Sequence, residues 1–348
     1  VAPCSVFEIL LTVAVSDEQR EQFASDPFYY QKFRQTIESD ANSIHSMTLR
    51  DSSMQMDARD DFTALMKKRL AKKPEIMKSI LPNFSVGCRR LTPGPGYLEA
   101  LVEDNVDFID TPITKVHPSG VELKDGTMIE LDALICATGF NASAPPPFPV
   151  VGREGQTVQS KFEPYPETYL SMAIDGMPNW FMMLGPNSAI GSGSLTMMME
   201  MEGDYIIKCI RKMQKEDIKS MEAKSRRVKD FSQLIETYFK KTVYLENCRS
   251  WYRSNGGKGN RITGLWPGSA LHAMETFRSP RWEDYDYEYE GESGGMEQNR
   301  LRFLGHGWSD SQLNNGDLAY YLRPEYVDVP ASPFPETSSY YQTRSFSY

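Results

Sequence analysis

The feature that most limits how this chain can fold is a continuous apolar run, Ala133-Leu-Ile-Cys-Ala137, that follows a hairpin and stops at Thr138-Gly139-Phe140. Asp125-Gly126 is a tight-turn signal between Gly120-Val-Glu-Leu123 and Met128-Ile-Glu-Leu131. A strand with one wet face alternates polar and apolar residues; a run with no polar position must be covered on both faces. The run therefore predicts a central strand of a parallel sheet, with a glycine at the carboxyl end where ligands of such sheets gather. A hairpin feeding a buried strand is an α/β feature, not an all-β one. Val106-Asp-Phe-Ile109 and Ile113-Thr-Lys-Val116 are two further strand-like runs ahead of it.

Helices are expected on either side. Ser16-Asp-Glu-Gln19 carries the serine and glutamine of a capping box. Phe28, Tyr29, Phe33 and Ile37 then recur at helical spacing, and after Asp51-Ser-Ser53 the segment Phe62 to Leu70 resumes the pattern. This block, to about residue 80, is expected to pack against a neighbouring domain. A turn-rich loop from Gly87 to Gly96 leads into a short helix, Tyr97-Leu-Glu-Ala-Leu101. Past the stiff Pro145-Pro-Pro147 come a second buried segment, the expected strand Trp180-Phe-Met-Met-Leu184, and a glycine-rich loop, Gly185 to Ser194. A helix from about Leu195 to Lys215 puts Met198, Met201, Tyr205, Ile206 and Cys209 on one side. Methionine fills irregular gaps, so this stripe reads as core rather than as a cofactor box. Another helix spans about Arg227 to Lys240. From Cys248 periodicity fades, and the stretch from Trp282 to the end reads as an acidic aromatic wrap.

The chain has 348 residues, enough for about two domains. Its 38 basic and 47 acidic residues leave a net charge of −9. Such a surface repels phosphate backbones, so no nucleic-acid partner is expected. Met66 to Lys73, the densest basic stretch, reads as a solvated helix face. No apolar run approaches the roughly 20 residues of a transmembrane helix, and Phe7 to Val15 is too short and lacks the basic leader of a signal peptide. Five cysteines, with no CxxC pair, argue against a disulfide framework and a structural zinc site, so a cytoplasmic setting is the expectation. His45, His117, His272 and His306 are dispersed, and no metal is expected.

Two local features could carry chemistry. The turn at Gly185 leads into a helix start, where exposed N–H groups and the helix dipole favour an electron-rich ligand. Gly191 and Gly193 do not complete a GxGxxG, because Thr196 stands three beyond Gly193. The loop is either a ligand cradle or an ordinary tight connection. Arg89-Arg90 is either a surface pair or a permanently charged holder of a phosphate or developing anion. Cys88 beside them reads as a small buried hydrophobe or a thiol of lowered pKa.

Several motifs together resemble a known family. Phe84-Ser-Val-Gly-Cys-Arg-Arg-Leu-Thr-Pro-Gly-Pro-Gly-Tyr-Leu-Glu-Ala-Leu101, Asp132-Ala-Leu-Ile-Cys-Ala-Thr-Gly-Phe140 and Pro178-Asn-Trp-Phe-Met-Met-Leu-Gly-Pro-Asn187 resemble segments of Baeyer–Villiger-type flavoprotein monooxygenases, especially the fungal branch. So do Cys248-Arg-Ser-Trp-Tyr252, Leu265-Trp-Pro-Gly-Ser269 and Pro280-Arg-Trp-Glu-Asp284. The resemblance covers about residues 20 to 325. It implies FAD and NADP as cofactors, O2 as co-substrate, and insertion of one oxygen atom into a small-molecule ketone. The family's active-site arginine falls on Arg90, and Arg89 would lie near the nicotinamide cofactor. Trp251 matches a tryptophan that helps hold that cofactor and close the pocket. Thr138, Gly139 and Phe140, with Gly185, Pro186 and Asn187, correspond to backbone lining the flavin.

The same family carries two GxGxxG loops and an FxGxxxHxxxW fingerprint, none of which occurs in these residues. Asn141 also replaces the family's usual Asp. The resemblance thus implies an α/β chain with an incomplete two-domain FAD/NAD(P)-binding, Rossmann-like architecture. Residues 1–100 would form a helical segment and the remainder of an NADP-binding domain. Residues 101–290 would form the carboxyl-terminal part of an FAD-binding domain, and 291–348 an irregular extension. Because these motifs are missing, two readings are open: a monooxygenase that works when a missing N-terminal half or a homologous subunit is supplied, or a non-catalytic truncated paralogue acting as an interaction protein.

Overall fold

A computed structural model describes residues 15–92, 94, 96–139, 141, 144–291 and 300–322. They fall into two compact units that divide near residue 296.

Helix α1 (Asp17–Ser25) begins at the expected capping box, with Ser16 Oγ accepting from the Gln19 amide at 3.2 Å and the Gln19 side chain accepting from the Ser16 amide at 3.2 Å. Asp26 caps α2 (Pro27–Ser43), accepting from the amides of Phe28 and Tyr29, and Pro27 fits the first helical turn, where no N–H is needed. Neither helix buries a residue, and Phe28 is 78% exposed. The expected packing is made not by these two helices but just after them, where Leu49 bridges Thr242 and the Arg50 amide donates to the Lys241 carbonyl at 2.9 Å; within α1 and α2, Phe23 packs on Tyr29, Tyr30 and Phe33. Helix α3 (Ser53–Arg69) is anchored by Ser52 at its start and buries Gln55 and Ala58.

The hairpin is present. Strands β1 (Ile113–His117), β2 (Gly120–Leu123) and β3 (Met128–Glu130) form an antiparallel sheet, with Val121 opposite Ile129 and Gly126 at φ 88° in the turn. Two expectations fail here. Val106–Ile109 forms no strand, and Ala133–Ala137 has no regular structure and no ladder partner among the described residues, with Ile135 90% exposed. The physical reason is coverage: a strand apolar on both faces needs strands at its edges and layers above and below. The described residues place none of these there. Trp180–Leu184 is likewise not a strand, and only Phe181 bridges Ala173.

The main core lies downstream. Helix α4 (Leu195–Glu216) buries Met198, Tyr205 and Cys209, with Met201 and Ile206 half-buried on the same side, as the stripe predicts. Asp217, at φ 54°, ends that helix in the left-handed region and turns the chain directly into β4 (Ile218–Ala223). Helix α5 (Ser225–Phe239) adds Val228, Phe231, Ile235 and Phe239 to the same core, and α6 (Ala270–Phe277) adds Ala273 and Phe277. The supposed wrap from Trp282 contains β5 (Tyr285–Tyr289), which pairs antiparallel with β4 and puts Met221 opposite Tyr287. Its tyrosines complete the core instead of coating it. Tyr205 and Tyr285 share a hydrogen bond at 2.9 Å, and Tyr169 donates to buried Asp284 at 2.6 Å, so their hydroxyls stay satisfied when buried.

Phe277 is 1% exposed and stands edge-on to Tyr205 and Trp266, whereas Leu271 on the same helix is 51% exposed. Phe277→Ala should destabilise the fold by about 3–5 kcal/mol in urea titration, against about 0.5 kcal/mol or less for Leu271→Ala.

Candidate functional site

Three segments remote in sequence meet around two adjoining cavities. The first, residues 84–90, is held from two sides. Gln55 accepts from the Val86 amide at 3.0 Å and donates to the Val86 carbonyl at 2.8 Å. The Glu246 carboxylate accepts from both the amide and the hydroxyl of Ser85, at 2.8 and 2.7 Å. Cys88 is disulfide-bonded to Cys248 across 160 residues of sequence. This corrects the expectation of unpaired cysteines, because spacing along the chain carries no information about so distant a contact.

The second segment, residues 246–266, has little regular structure, and its side chains shape its turns. The Arg253 guanidinium donates to the carbonyls of Gly259 at 2.7 Å and Glu246 at 2.8 Å. Arg253 also bridges Ile262, closing a compact loop. Trp251 stays 44% exposed beside Tyr252, their ring centroids 4.6 Å apart. Gly264 makes room for it: a Cβ there would come within 3.1 Å of the Trp251 ring.

The third segment, the turn at residues 184–190, is zipped to the second. The Asn187 amide donates to the Thr263 carbonyl at 2.8 Å, and Ala189 and Leu265 form a parallel bridge. Gly185 has no freedom to change, since a Cβ would lie 2.1 Å from the Ser171 carbonyl oxygen.

Arg89, Thr138, Gly139, Arg249 and Trp251 line a cleft of about 940 Å³, together with the glycines at 256 and 257. A second cavity of about 590 Å³ takes Leu184, Gly185 and Pro186 as one wall and the Pro145–Pro147 connection as another. Trp251 and Asn141 line both. The larger cleft is basic, with Arg89, Arg249 and Arg253 among its lining residues and no carboxylate. Among the described residues no acidic side chain forms an ion pair with Arg89 or Arg249, whereas Arg253 is engaged in building its loop. Exposed backbone, a hydroxyl at Thr138 and free guanidinium groups suit a phosphate-bearing ligand with a flat aromatic portion.

The expected site residues thus divide. Arg89, Thr138, Gly139 and Trp251 share one cleft, and Gly185 and Pro186 line the adjoining cavity. Phe140 lies outside the described residues. Arg90 lines neither space: it is exposed, and its charge acts on the Tyr252 phenol, opposing the upward pKa shift that burial causes. Adjacent side chains leave the chain in different directions, and the anchors at Ser85 and Cys88 turn Arg89, not Arg90, toward the cleft. Asn187 is also not a lining residue. It is 1% exposed, with φ 65°, and its side-chain amide donates to the carbonyls of Ile262 and Leu265, each at 2.9 Å. It clamps the turn from behind.

Sequence reasoning missed Arg249, the two glycines and, above all, Glu202. This carboxylate is fully buried on α4. One oxygen accepts from the Leu184 amide at 2.9 Å and the other has no partner among the described residues. Burial pushes its pKa up to about 7, a rise the Leu184 N–H partly offsets. The signal was available: position 202 falls on the apolar stripe of Met198, Tyr205 and Cys209, where a charge is out of place.

With this geometry in place, the comparisons are specific. The chain shares a fold with solved Baeyer–Villiger monooxygenases. A steroid monooxygenase bound to NADP aligns at a TM-score of 0.62 and 20% identity, covering 80% of this chain and 53% of that one. OTEMO in complex with FAD and NADP aligns at 0.63 and 17%, covering 79% and 59%. No family model matches the chain. Among curated proteins, the FAD-binding monooxygenase tazF of Aspergillus terreus is 33% identical over 309 residues, 88% of this chain and 54% of that protein. The FAD-binding monooxygenase stcW of Emericella nidulans is 32% identical over 323 residues, 91% of this chain and 52% of that protein. The chain is therefore a relative of the fungal FAD-binding monooxygenases, and it spans about half the length of the relatives it matches.

Glu202 makes stability depend on pH with a definite sign. Its carboxyl keeps a proton in the folded state up to about pH 7, whereas unfolding returns it to about 4.5. Between these values the folded state binds the extra proton, so this contribution to stability falls as pH rises through the window. At about 1.4 kcal/mol per pKa unit the loss is on the order of 3–4 kcal/mol. Glu202→Gln should remove that part of the slope, read as the wild-type-minus-variant difference in Tm between pH 5 and pH 8.

Proposed function

We propose that this chain contributes the Arg89–Thr138–Trp251 cleft to an FAD- and NADPH-dependent monooxygenase that inserts one oxygen atom of O2 into a small-molecule ketone. The observation that carries the reading is the convergence of Arg89, Thr138, Gly139 and Trp251 on one arginine-lined cleft, in a chain related to FAD-binding monooxygenases.

Arg89 and Arg249 would hold the phosphates of the nicotinamide cofactor, and Trp251 would cover its flat ring. The turns at Thr138–Gly139 and Gly185–Pro186 would present backbone to the flavin. Bound flavin would supply the electrons, drawn from NADPH, that activate O2. The protein's part is a fixed cation in a space closed to water, where a developing negative charge is stabilised most. In this reading Arg89, which lines the cleft, would supply that cation once the cleft is closed, with Arg90 beside it as the second guanidinium. Enclosing the flavin also calls for polypeptide beyond these residues, in the same chain or another, against the bare apolar run at Ala133–Ala137. The exposure of Ile135 supports that requirement.

A second reading, a non-catalytic binding protein, rests on the same exposed run, whose uncovered apolar side chains offer a surface to a partner. Protein purified from its native source decides between the two. The monooxygenase reading expects a visible flavin band and, with NADPH, a cyclic ketone and ¹⁸O2, an ester that gains one ¹⁸O by mass spectrometry. Colourless protein with no NADPH-dependent O2 uptake after added FAD leaves the second reading. Within the first, Arg89→Ala should weaken NADP+ binding about tenfold or more in calorimetric titration and lower ester formation more than Arg90→Ala does. The reverse order would move the reacting cation to Arg90.

A further inference from the structure

We propose that the Cys88–Cys248 pair is an oxidative modification site whose disulfide ties the two walls of the cleft together and sets its rigidity. Cys88 precedes Arg89 on one wall, and Cys248 precedes Arg249 on the other, so a single covalent bond joins the cleft's free cations through their neighbours. The segments are already side by side without it. Ser85 is held by Glu246 through two hydrogen bonds, which brings the Cα atoms of the cysteines to 6.1 Å, a separation a disulfide spans without moving the backbone.

The pairing is selective. Cys209 is buried alone in the core on α4 and Cys136 is exposed in the uncovered apolar run, so neither competes for this bond. Cys88 and Cys248 are 0% and 3% exposed, so a solvent thiol reaches the formed bond only when the wall opens, and reduction calls for prolonged incubation with dithiothreitol, checked by alkylation of both thiols. Formation removes two protons and two electrons from the thiols. With hydrogen peroxide as the oxidant, the O–O bond breaks, the S–S bond forms, and two waters leave. The Glu246–Ser85 contact alone fixes one point of the wall. The covalent tie adds a second point at the residue next to Arg89, and two points define how that side chain faces Trp251.

The test starts with mass spectrometry of unreduced protein alkylated under denaturing conditions. Expected is a cross-linked peptide pair containing Cys88 and Cys248, with Cys136 and Cys209 alkylated. Recovery of Cys88 and Cys248 as alkylated thiols would overturn the proposal. Hydrogen exchange then reads the effect on the cleft. Treatment with dithiothreitol, or the double substitution Cys88→Ser and Cys248→Ser, should speed amide exchange at residues 249–257 about tenfold or more. Exchange in the distant β4–β5 pair should stay unchanged. An unchanged rate at 249–257 in the reduced protein would show that the bond does not govern the cleft, and would overturn the proposal even if the serine variant fails to fold. Exchange needs no cofactor, so absence of NADP+ binding in both redox states would sink the cofactor reading and leave this one intact.

Discussion

Residues 246–266 contain almost no helix or strand, so their backbone groups depend on partners from elsewhere, and those partners place the cleft. Arg253 takes the carbonyls of Gly259 and Glu246, and Asn187 takes those of Ile262 and Leu265. The Glu246 side chain reaches the other way, to Ser85. Three buried or half-buried polar side chains thereby do for this segment what a ladder does for a strand. Each serves more than one backbone or hydroxyl group, so losing any of them leaves several buried polar atoms unpaired at once. The positions of Arg89, Arg249 and Trp251 follow from these anchors and not from any regular element.

The turn at Leu184–Asn187 shows the same economy under strain. Leu184 at φ 52° and Asn187 at φ 65° both occupy the left-handed region that favours glycine. Two opposed contacts hold them there: the buried Glu202 carboxylate on the Leu184 amide, and the Asn187 side chain on the next strand-like segment. Glu202 could accept two donors and receives one among the described residues. A single N–H does not offset the loss of hydration, so its proton affinity rises. The strained turn and the poorly solvated carboxyl are therefore two aspects of one arrangement behind Gly185 and Pro186.

What the sequence disclosed depended on the range of the interaction. The capping box at Ser16, the hairpin at Asp125-Gly126 and the stripe on α4 are set within a few residues, and each was legible. Tyr285-Asp-Tyr-Glu-Tyr289 alternates as a half-buried strand should, yet its acidic residues made it look like surface; only the pairing with β4 shows the tyrosines facing inward. The motifs of the site named Arg89, Thr138, Gly139 and Trp251 together, but they could not say which of two consecutive arginines faces the cleft. That choice is made by Glu246, 161 positions from Ser85, and by the Cys88–Cys248 bond. The apolar run at 133–137 misled for a different reason. Its pattern states what the strand requires, not what these residues supply.

The charge distribution ties the site to the chain as a whole. A net charge of −9 would oppose the approach of an anionic dinucleotide if it were spread evenly. It is not spread evenly at the cleft, where the lining residues include three arginines and no carboxylate. Glu246, the acid nearest to this wall by sequence, is engaged by Ser85 and faces away from the opening. With Arg89 and Arg249 free of ion pairs among the described residues and its nearest carboxylate occupied, the cleft keeps a local positive field inside an acidic protein. The reach of that field is about 8–10 Å at physiological salt. It therefore acts on a ligand already at the mouth rather than steering one from a distance, and recognition falls to the fixed geometry of the two walls.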